Sequence, residues 1–108
     1  MIKDIDAGMA KELMDNNSDS DDFVILDVRT RMENEMERIG EGKLIDISQP
    51  DFKDSVDELD KNKTYLVYCR TGSRSRFAIN IMENLGFKNI YHLQDGIMDW
   101  IGNGYPTI

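Results

Sequence analysis

The segment Cys69–Ser75, referred to below as the Cys69 loop, contains the only cysteine of the 108-residue chain together with two arginines. The apolar run Tyr65–Tyr68 directly before it predicts an interior strand, and Gly72 allows a tight turn. Such a loop directs successive backbone N–H groups inward, and a following helix adds the positive end of its dipole. We therefore expect the sulfur of Cys69 to be exposed to solvent at the floor of an amide-lined cup.

This environment would change the ionisation of Cys69. An ordinary cysteine has a pKa of about 8.5, so only a few per cent of it is thiolate at neutral pH. Helix N-termini and nearby arginines lower the pKa of a thiol to roughly 3.5–7.5. With Arg70 and Arg74 beside it, Cys69 is expected to be a thiolate nucleophile. The alternative is a small buried hydrophobic residue, which is what most single cysteines are.

The rest of the sequence predicts strands that alternate with helices. Asp6 is a helix cap, and Thr30 followed by Glu33 forms a capping box for a short helix. The alternation indicates an α/β fold with a mainly parallel sheet and helices on both faces, in which ligands bind at the carboxyl ends of strands. Strands are predicted at 2–5, 23–26, 44–47, 65–68 and 89–93, and helices at 7–14, 31–36, 51–59, between the Cys69 loop and Gly86, and around 97–101.

Length and composition limit the classes of function. One domain spanning residues 1–108 is expected, with 40% hydrophobic and 31% charged residues, and a single cysteine excludes an internal disulfide. The net charge of −8 argues against nucleic acid as a partner. No apolar run is long enough to span a membrane and the first residues lack a signal-peptide pattern, so a cytoplasmic location is expected. Three basic residues within 70–76 favour a small anion as ligand.

Several other residues are expected to have structural roles. His92, the only histidine, lies in a strand pattern and has no partner set for a metal, and Arg76 is expected to face solvent or to pair with an acid. The seven methionines are expected to lie largely at helix-core positions. The acidic segment 16–22 is expected to be a solvated connector rather than a calcium loop. Turn or packing roles are expected for Asp95, Asp99 and Trp100.

Taken together, these motifs resemble those of a single-domain rhodanese, a thiosulfate sulfurtransferase-type protein, in the order that family has them. The resemblance implies a three-layer rhodanese-like domain with a five-stranded sheet. Two positions depart from the family pattern: Arg38 stands where histidine is usual, and Asn34 where an aromatic residue is usual. The matching pieces are 26–30 with Glu33, 39–45, 67–75, 85–91 and 93–100.

The resemblance also implies a reaction without metal or cofactor. Cys69 would attack the outer sulfur of an anionic donor such as thiosulfate, release sulfite and become a persulfide, and a thiol, cyanide or a sulfur-accepting protein would remove that sulfur. No general base is required if Cys69 is already ionised. Arg70 and Arg74 would hold the sulfonate end of the donor. The other substrate-binding residues would be Thr71, Gly72, Ser73 and Ser75, with Asp27 and Arg29 supporting the site as an internal ion pair.

Two alternatives to this enzyme remain. Phosphatases with a cysteine loop have arginine six positions after the cysteine, whereas here that position is Ser75 and Arg74 comes one residue earlier. The second alternative is a persulfide relay or protein-binding module that has no independent turnover. It would use the same fold, and a relay would use the same Cys69 persulfide.

Overall fold

One five-stranded parallel sheet organises the chain. The computed structural model describes all residues, 1–108, and its strands lie in the order β1-β5-β4-β2-β3. This architecture confirms the predicted α/β class and the parallel sheet. The strands are β1 Ile2–Ile5, β2 Phe23–Asp27, β3 Lys43–Leu44, β4 Thr64–Tyr68 and β5 Asn89–Leu93, and the helices are α1 Ala7–Asn16, α2 Arg31–Met36, α3 Phe52–Asp57, α4 Ser73–Asn84 and α5 Gly96–Gly102.

The central strand β4 supplies buried side chains to both faces of the sheet. Successive side chains of a strand point to opposite faces, and β4 is accordingly apolar throughout. Tyr65 and Val67 join a cluster that includes residues of α3 and α4, whereas Leu66 and Tyr68 join one that includes residues of α1 and α5. Helices therefore cover both faces, as predicted, and Cys69 continues the α3/α4 side.

Local capping signals in the sequence are confirmed. The Asp6 carboxylate accepts the amide of Met9 at the start of α1. Thr30 and Glu33 form the reciprocal capping box of α2, whose bounds match the prediction. The predicted strand 44–47 is shorter in the structure, where the edge strand β3 has ladder partners in β2 only for Lys43 and Leu44. The amides of Ile45 and Ile47 still donate to the carbonyls of Asp27 and Val28.

The apolar faces of the helices differ in part from the prediction. Phe77 is 71% exposed because the buried side of α4 carries Ala78, Ile79 and Met82. The expectation of core methionines is wrong: Met82 alone is fully buried, and α2 has no buried residue at all. Five of the seven methionines are exposed, namely Met1, Met9, Met32, Met36 and Met98. No helix has both the length and the apolar character required to cross a membrane.

Candidate functional site

The Cys69 loop connects the carboxyl end of β4 to the start of α4. Its sulfur accepts the amide N–H of Gly72 at 3.1 Å and lies 3.2 Å from the hydroxyl oxygen of Ser75. The carbonyl of Cys69 accepts the amide of Ile97, in the first turn of α5, at 3.0 Å. Both the sulfur and the backbone of Cys69 are thus held by hydrogen bonds.

The expectation that Cys69 is exposed to solvent is wrong, since the residue is only 1% exposed and belongs to the α3/α4 core cluster. The reason is that β4 ends in the middle of the sheet and the loop folds over the sulfur. Gly72 and Ser75, which contact the sulfur, are themselves buried. The loop therefore covers the sulfur almost completely.

Hydrogen bonds favour the charged form of Cys69 despite this burial. Burial by itself raises the pKa of the Cys69 thiol, but donors from Ser75, Gly72 and Thr71 outweigh it, so that the pKa is lowered from its ordinary value. The donors are the Ser75 hydroxyl and the three backbone amides. The predicted direction of the shift is confirmed, and its source is the lining of amide and hydroxyl groups.

Two glycines fix the loop against the segment that precedes α5. Gly72 has φ +115° and a Cβ there would lie 2.0 Å from the carbonyl oxygen of Gln94. Gly96 has φ +71° and a Cβ there would lie 2.1 Å from the carbonyl oxygen of Arg70. Both backbones require glycine for their conformation and for their close approach. The loops after β4 and β5 therefore form one interlocked unit around Cys69.

The two loop arginines differ in their surroundings. Arg74 makes a bidentate ion pair with Glu33 of α2, with N–O distances of 2.7 and 2.9 Å. The hydrogen bonds from Arg74 lower the pKa of Glu33 to about 2, because their effect is larger than that of burial, which would raise it. Arg70 is exposed, and its side chain has no hydrogen-bond or ion-pair partner. The loop thus presents one paired and one unpaired guanidinium group.

The other loop side chains are placed as follows. Thr71 and Ser73 are exposed, and neither side chain makes a hydrogen bond within the protein. Ser75 is fully buried and its hydroxyl also lies 3.1 Å from the carbonyl oxygen of Gly72. Of the loop hydroxyls, therefore, only that of Ser75 contacts the sulfur.

Asp27 and Arg29 form the internal ion pair that was expected. Both are buried, with Arg29 Nη2 2.8 Å from Asp27 Oδ2. The same carboxylate accepts hydrogen bonds from the Tyr68 hydroxyl at 3.2 Å and from Asn34 Nδ2 at 3.0 Å. Burial and the charge of Asp27 raise the pKa of Tyr68 to about 12. This network ties the end of β2 to β4 and α2, next to the loop.

His92 lies directly behind the Cys69 loop, which its sequence separation did not indicate. It is 1% exposed, and its Nε2 atom is 2.6 Å from the hydroxyl oxygen of Ser75. Its Nδ1 atom is 3.1 Å from Asp4, whose carboxylate also pairs with Arg76 at 2.7 Å. The parallel register that sets Asp4 opposite His92 in β5 could be read only from the sheet order. The expected pairing of Arg76 with an acid is confirmed.

Comparison with known protein families shows which family the chain resembles. The family model described as rhodanese-like domain matches residues 9–103. The chain belongs to the rhodanese family.

Individual proteins also match most of the chain. A provisionally named sulfurtransferase, YtwF of Bacillus subtilis, is 30% identical over 108 residues, which cover 97% of this chain and 96% of that protein. A tRNA uridine(34) hydroxylase of Cytophaga hutchinsonii is 35% identical over 85 residues, which are 76% of this chain but 27% of that protein. The crystal structure of a rhodanese-related protein from Thermoplasma volcanium superposes with a TM-score of 0.81 at 30% identity and covers 98% of this chain and 97% of that one.

The two departures from the rhodanese pattern have structural explanations. Asn34 supplies a hydrogen bond to the buried Asp27 carboxylate. The backbone of Arg38 exchanges hydrogen bonds with Ile108, and its guanidinium lies 3.6 Å from Glu41. Neither side chain makes a hydrogen bond or ion pair with the Cys69 loop, and the Arg38 guanidinium instead donates to the carbonyl of Asn34 in α2.

Proposed function

We propose that this rhodanese is a sulfurtransferase that carries sulfane sulfur on Cys69 as a persulfide. The observation that carries the proposal is the sulfur of Cys69, which lies among hydrogen-bond donors from Gly72, Thr71 and Ser75 that lower its pKa. Such donors stabilise a thiolate before the reaction and the terminal anion of a persulfide after it. The sulfurtransferase name of the Bacillus relative agrees with this chemistry.

The first half-reaction loads the sulfur. The thiolate of Cys69 attacks the outer sulfur of thiosulfate and forms a new S–S bond. The S–S bond of the donor breaks and its electron pair leaves with sulfite. In this step Arg70 binds the sulfonate end of the donor, because it follows Cys69 directly in the chain and its exposed guanidinium has no carboxylate partner.

The second half-reaction unloads the sulfur. A thiophilic acceptor, such as a thiol or cyanide, attacks the terminal sulfur of the persulfide. The S–S bond of the persulfide breaks, and its electron pair returns to Cys69 as thiolate. With no second cysteine in the chain, the acceptor is always another molecule, either small or a sulfur-accepting protein.

Steady-state turnover tests the proposal against the relay alternative. Purified protein is given thiosulfate and excess cyanide, and thiocyanate is measured over many equivalents of enzyme. Continuous thiocyanate release that is absent in Cys69→Ser supports a sulfurtransferase. Uptake of one sulfur on Cys69 without continuous thiocyanate release would indicate a relay that needs a protein partner, and no sulfur uptake from thiosulfate would contradict both.

A donor and substrate panel addresses specificity. Thiosulfate, mercaptopyruvate, polysulfide and a protein persulfide are compared at equal concentration. A doubly charged donor is expected to react fastest, because Arg70 is unpaired. Hydrolysis of p-nitrophenyl phosphate that is lost in Cys69→Ser would instead favour a phosphatase.

A further inference from the structure

A continuous chain of hydrogen-bonded groups leads from the sulfur of Cys69 to the edge of the sheet. Cys69 Sγ is 3.2 Å from Ser75 Oγ, which is 2.6 Å from His92 Nε2, and His92 Nδ1 is 3.1 Å from Asp4 Oδ1. Cys69, Ser75 and His92 are at most 1% exposed, whereas the Asp4 side chain is 41% exposed. The function proposed above leaves His92 and Asp4 without a role.

The protons on this chain can be assigned from its outer end. Burial raises the pKa of Asp4, but the hydrogen bonds from Arg76 and His92 have the larger effect. The pKa of Asp4 is therefore below its ordinary value, and Asp4 is a carboxylate at neutral pH. A carboxylate can only accept, so His92 Nδ1 carries a proton. Burial also lowers the pKa of His92, against the opposing effect of Asp4. In the neutral imidazole, Nε2 therefore has a free lone pair that points at Ser75.

The single proton of the Ser75 hydroxyl then decides the state of the sulfur. When it is donated to His92 Nε2, the Ser75 oxygen accepts from the S–H of Cys69. When both protons move one step along the chain, Nε2–H donates to Ser75 and the hydroxyl donates to the thiolate. Either state leaves each of the three side chains with a hydrogen-bond partner. The carbonyl of Gly72, at 3.1 Å, is the third acceptor within reach of the Ser75 proton.

Because Cys69 is buried, its thiol needs a proton acceptor inside the protein. A thiol that is 1% exposed has almost no contact with bulk water to which it could release a proton. We propose that His92, acting through the Ser75 hydroxyl, is the internal proton acceptor that converts the Cys69 thiol into the thiolate. The Sγ–H proton passes to Ser75 Oγ, the Ser75 proton passes to His92 Nε2, and the product is a thiolate with an imidazolium that Asp4 stabilises.

His92 is thus a positioning residue, which acts on the nucleophile without meeting a substrate. The titratable and charged groups that face it are Asp4 from β1, Arg76 from α4 and Cys69 at the end of β4. Asp4 favours the imidazolium and Arg76 disfavours it. We call the groups from Cys69 through Ser75 and His92 to Asp4 the proton relay. Its importance for catalysis rests on the proposed sulfur transfer, whereas the proton transfer itself can be measured without any sulfur donor.

Alkylation of Cys69 by iodoacetamide, followed from pH 5 to 9, tests the relay. The chain has one cysteine, so the rate reports the thiolate fraction of that residue alone. His92→Gln keeps a hydrogen-bonding group but cannot take up a proton at these pH values. We expect it to move the rate profile toward higher pH and to slow alkylation at pH 6.5 by about tenfold, the effect of one pKa unit.

Two surface variants provide the matched control should His92→Gln fail to fold. Asp4→Asn and Arg76→Gln both break the same partly exposed ion pair. The relay predicts opposite effects, with slower alkylation in Asp4→Asn and equal or faster alkylation in Arg76→Gln. If the ion pair has only a structural role, the alkylation rate should change in the same direction in both variants. That result would overturn the proposal.

The single histidine also gives a direct spectroscopic signature. Nitrogen-15 NMR of histidine-labelled protein at pH 7 is expected to show an imidazolium in the native protein and a neutral ring protonated at Nδ1 in Cys69→Ser. Identical neutral rings in both proteins would overturn the relay even if Cys69 is a thiolate. If the alkylation rates and the His92 signals are as expected but the protein takes up no sulfur from thiosulfate, only the proposed sulfurtransferase is refuted.

Discussion

Arg70 and Arg74 carry the same charge in two different environments. The Arg74 guanidinium is committed to Glu33 through two hydrogen bonds, and Arg70 is exposed without a partner. An ionised donor that is not already bound to a carboxylate is better able to bind an incoming anion. We therefore assign the main contact with the sulfonate to Arg70, and the Arg74 contact predicted from the sequence stays a prediction.

Substitution of the two arginines tests this assignment. Arg70→Ala should raise the KM for thiosulfate about tenfold, the equivalent of one lost charge-assisted hydrogen bond. Arg70→Lys, which keeps the charge, should have a smaller effect. Steady-state kinetics with thiosulfate and cyanide measure both. A larger rise in KM for Arg74→Ala, with its folding intact, would move the assignment to Arg74.

Helix α2 is coupled to the Cys69 loop mainly through Glu33. This residue closes the capping box at Thr30 and also holds Arg74 at the start of α4. Its pKa falls from 4.5 to about 2, and since the folded-state pKa is the lower one, the stabilisation is present above about pH 4.5 and is lost as the pH falls toward 2.

The variant Glu33→Gln removes this charge and keeps the shape. We expect a loss of about 1 kcal/mol in the free energy of unfolding at pH 7, because solvent screens this partly exposed pair. The variant should also lose less stability than the native protein between pH 5 and 2. Urea unfolding at several pH values measures both. If the free energy of unfolding depends on pH in the same way in both proteins, Glu33 does not contribute to the loss of stability in acid.

The interlocked loops after β4 and β5 permit a comparison of two glycines in one helix. A Cβ at Gly96 would lie 2.1 Å from the backbone carbonyl oxygen of Arg70, whereas one at Gly102 would meet nothing within 4 Å. Gly96→Ala should therefore cost at least about 2 kcal/mol and raise the pKa of Cys69 by displacing the loop. Gly102→Ala should change stability by less than about 1 kcal/mol. Chemical unfolding and alkylation rates test this, and equal behaviour of the two variants would contradict the interlock.

At the scale of the whole molecule, the position of β4 in the sheet explains the burial of Cys69. β4 lies between β5 and β2, and helices cover both faces, so the sulfur at its end is reached only past the surrounding loops.

A small reagent should accordingly react much faster than a bulky one of equal intrinsic reactivity. We expect iodoacetamide to modify the folded protein readily and an aromatic disulfide reagent at least about tenfold more slowly than it modifies the unfolded chain. Equal rates in the folded and unfolded states would show that the sulfur is open to solvent.

Much of this architecture could be predicted from local sequence signals. The capping residues Asp6 and Thr30, the apolar strand β4 and the Cys69 loop each depend on neighbours close in the chain, and the structure has them as predicted. The burial of Cys69 and the exposure of Phe77 depend on which surfaces the helices present to the sheet. Those surfaces are set by packing between distant segments, for which a single sequence gives only the helical period.

The same distinction applies to the candidate site. Arg74 and Glu33 are 41 residues apart and His92 and Asp4 are 88 apart, so neither pair can be found from spacing. The sequence predicts Cys69 as the nucleophile together with its loop, because these residues form one contiguous motif. It left His92 as a structural residue, because only the parallel pairing of β1 with β5 brings Asp4 beside it.

Intact-mass spectrometry tests the central claim most directly, namely that Cys69 is a thiolate that accepts a single sulfur. The protein is treated with thiosulfate, desalted and measured, then treated with cyanide and measured again, with Cys69→Ser as the control. We predict a gain of one sulfur atom that cyanide removes, and no gain in Cys69→Ser. A native protein of unchanged mass at high thiosulfate, or an equal gain in Cys69→Ser, would contradict the account.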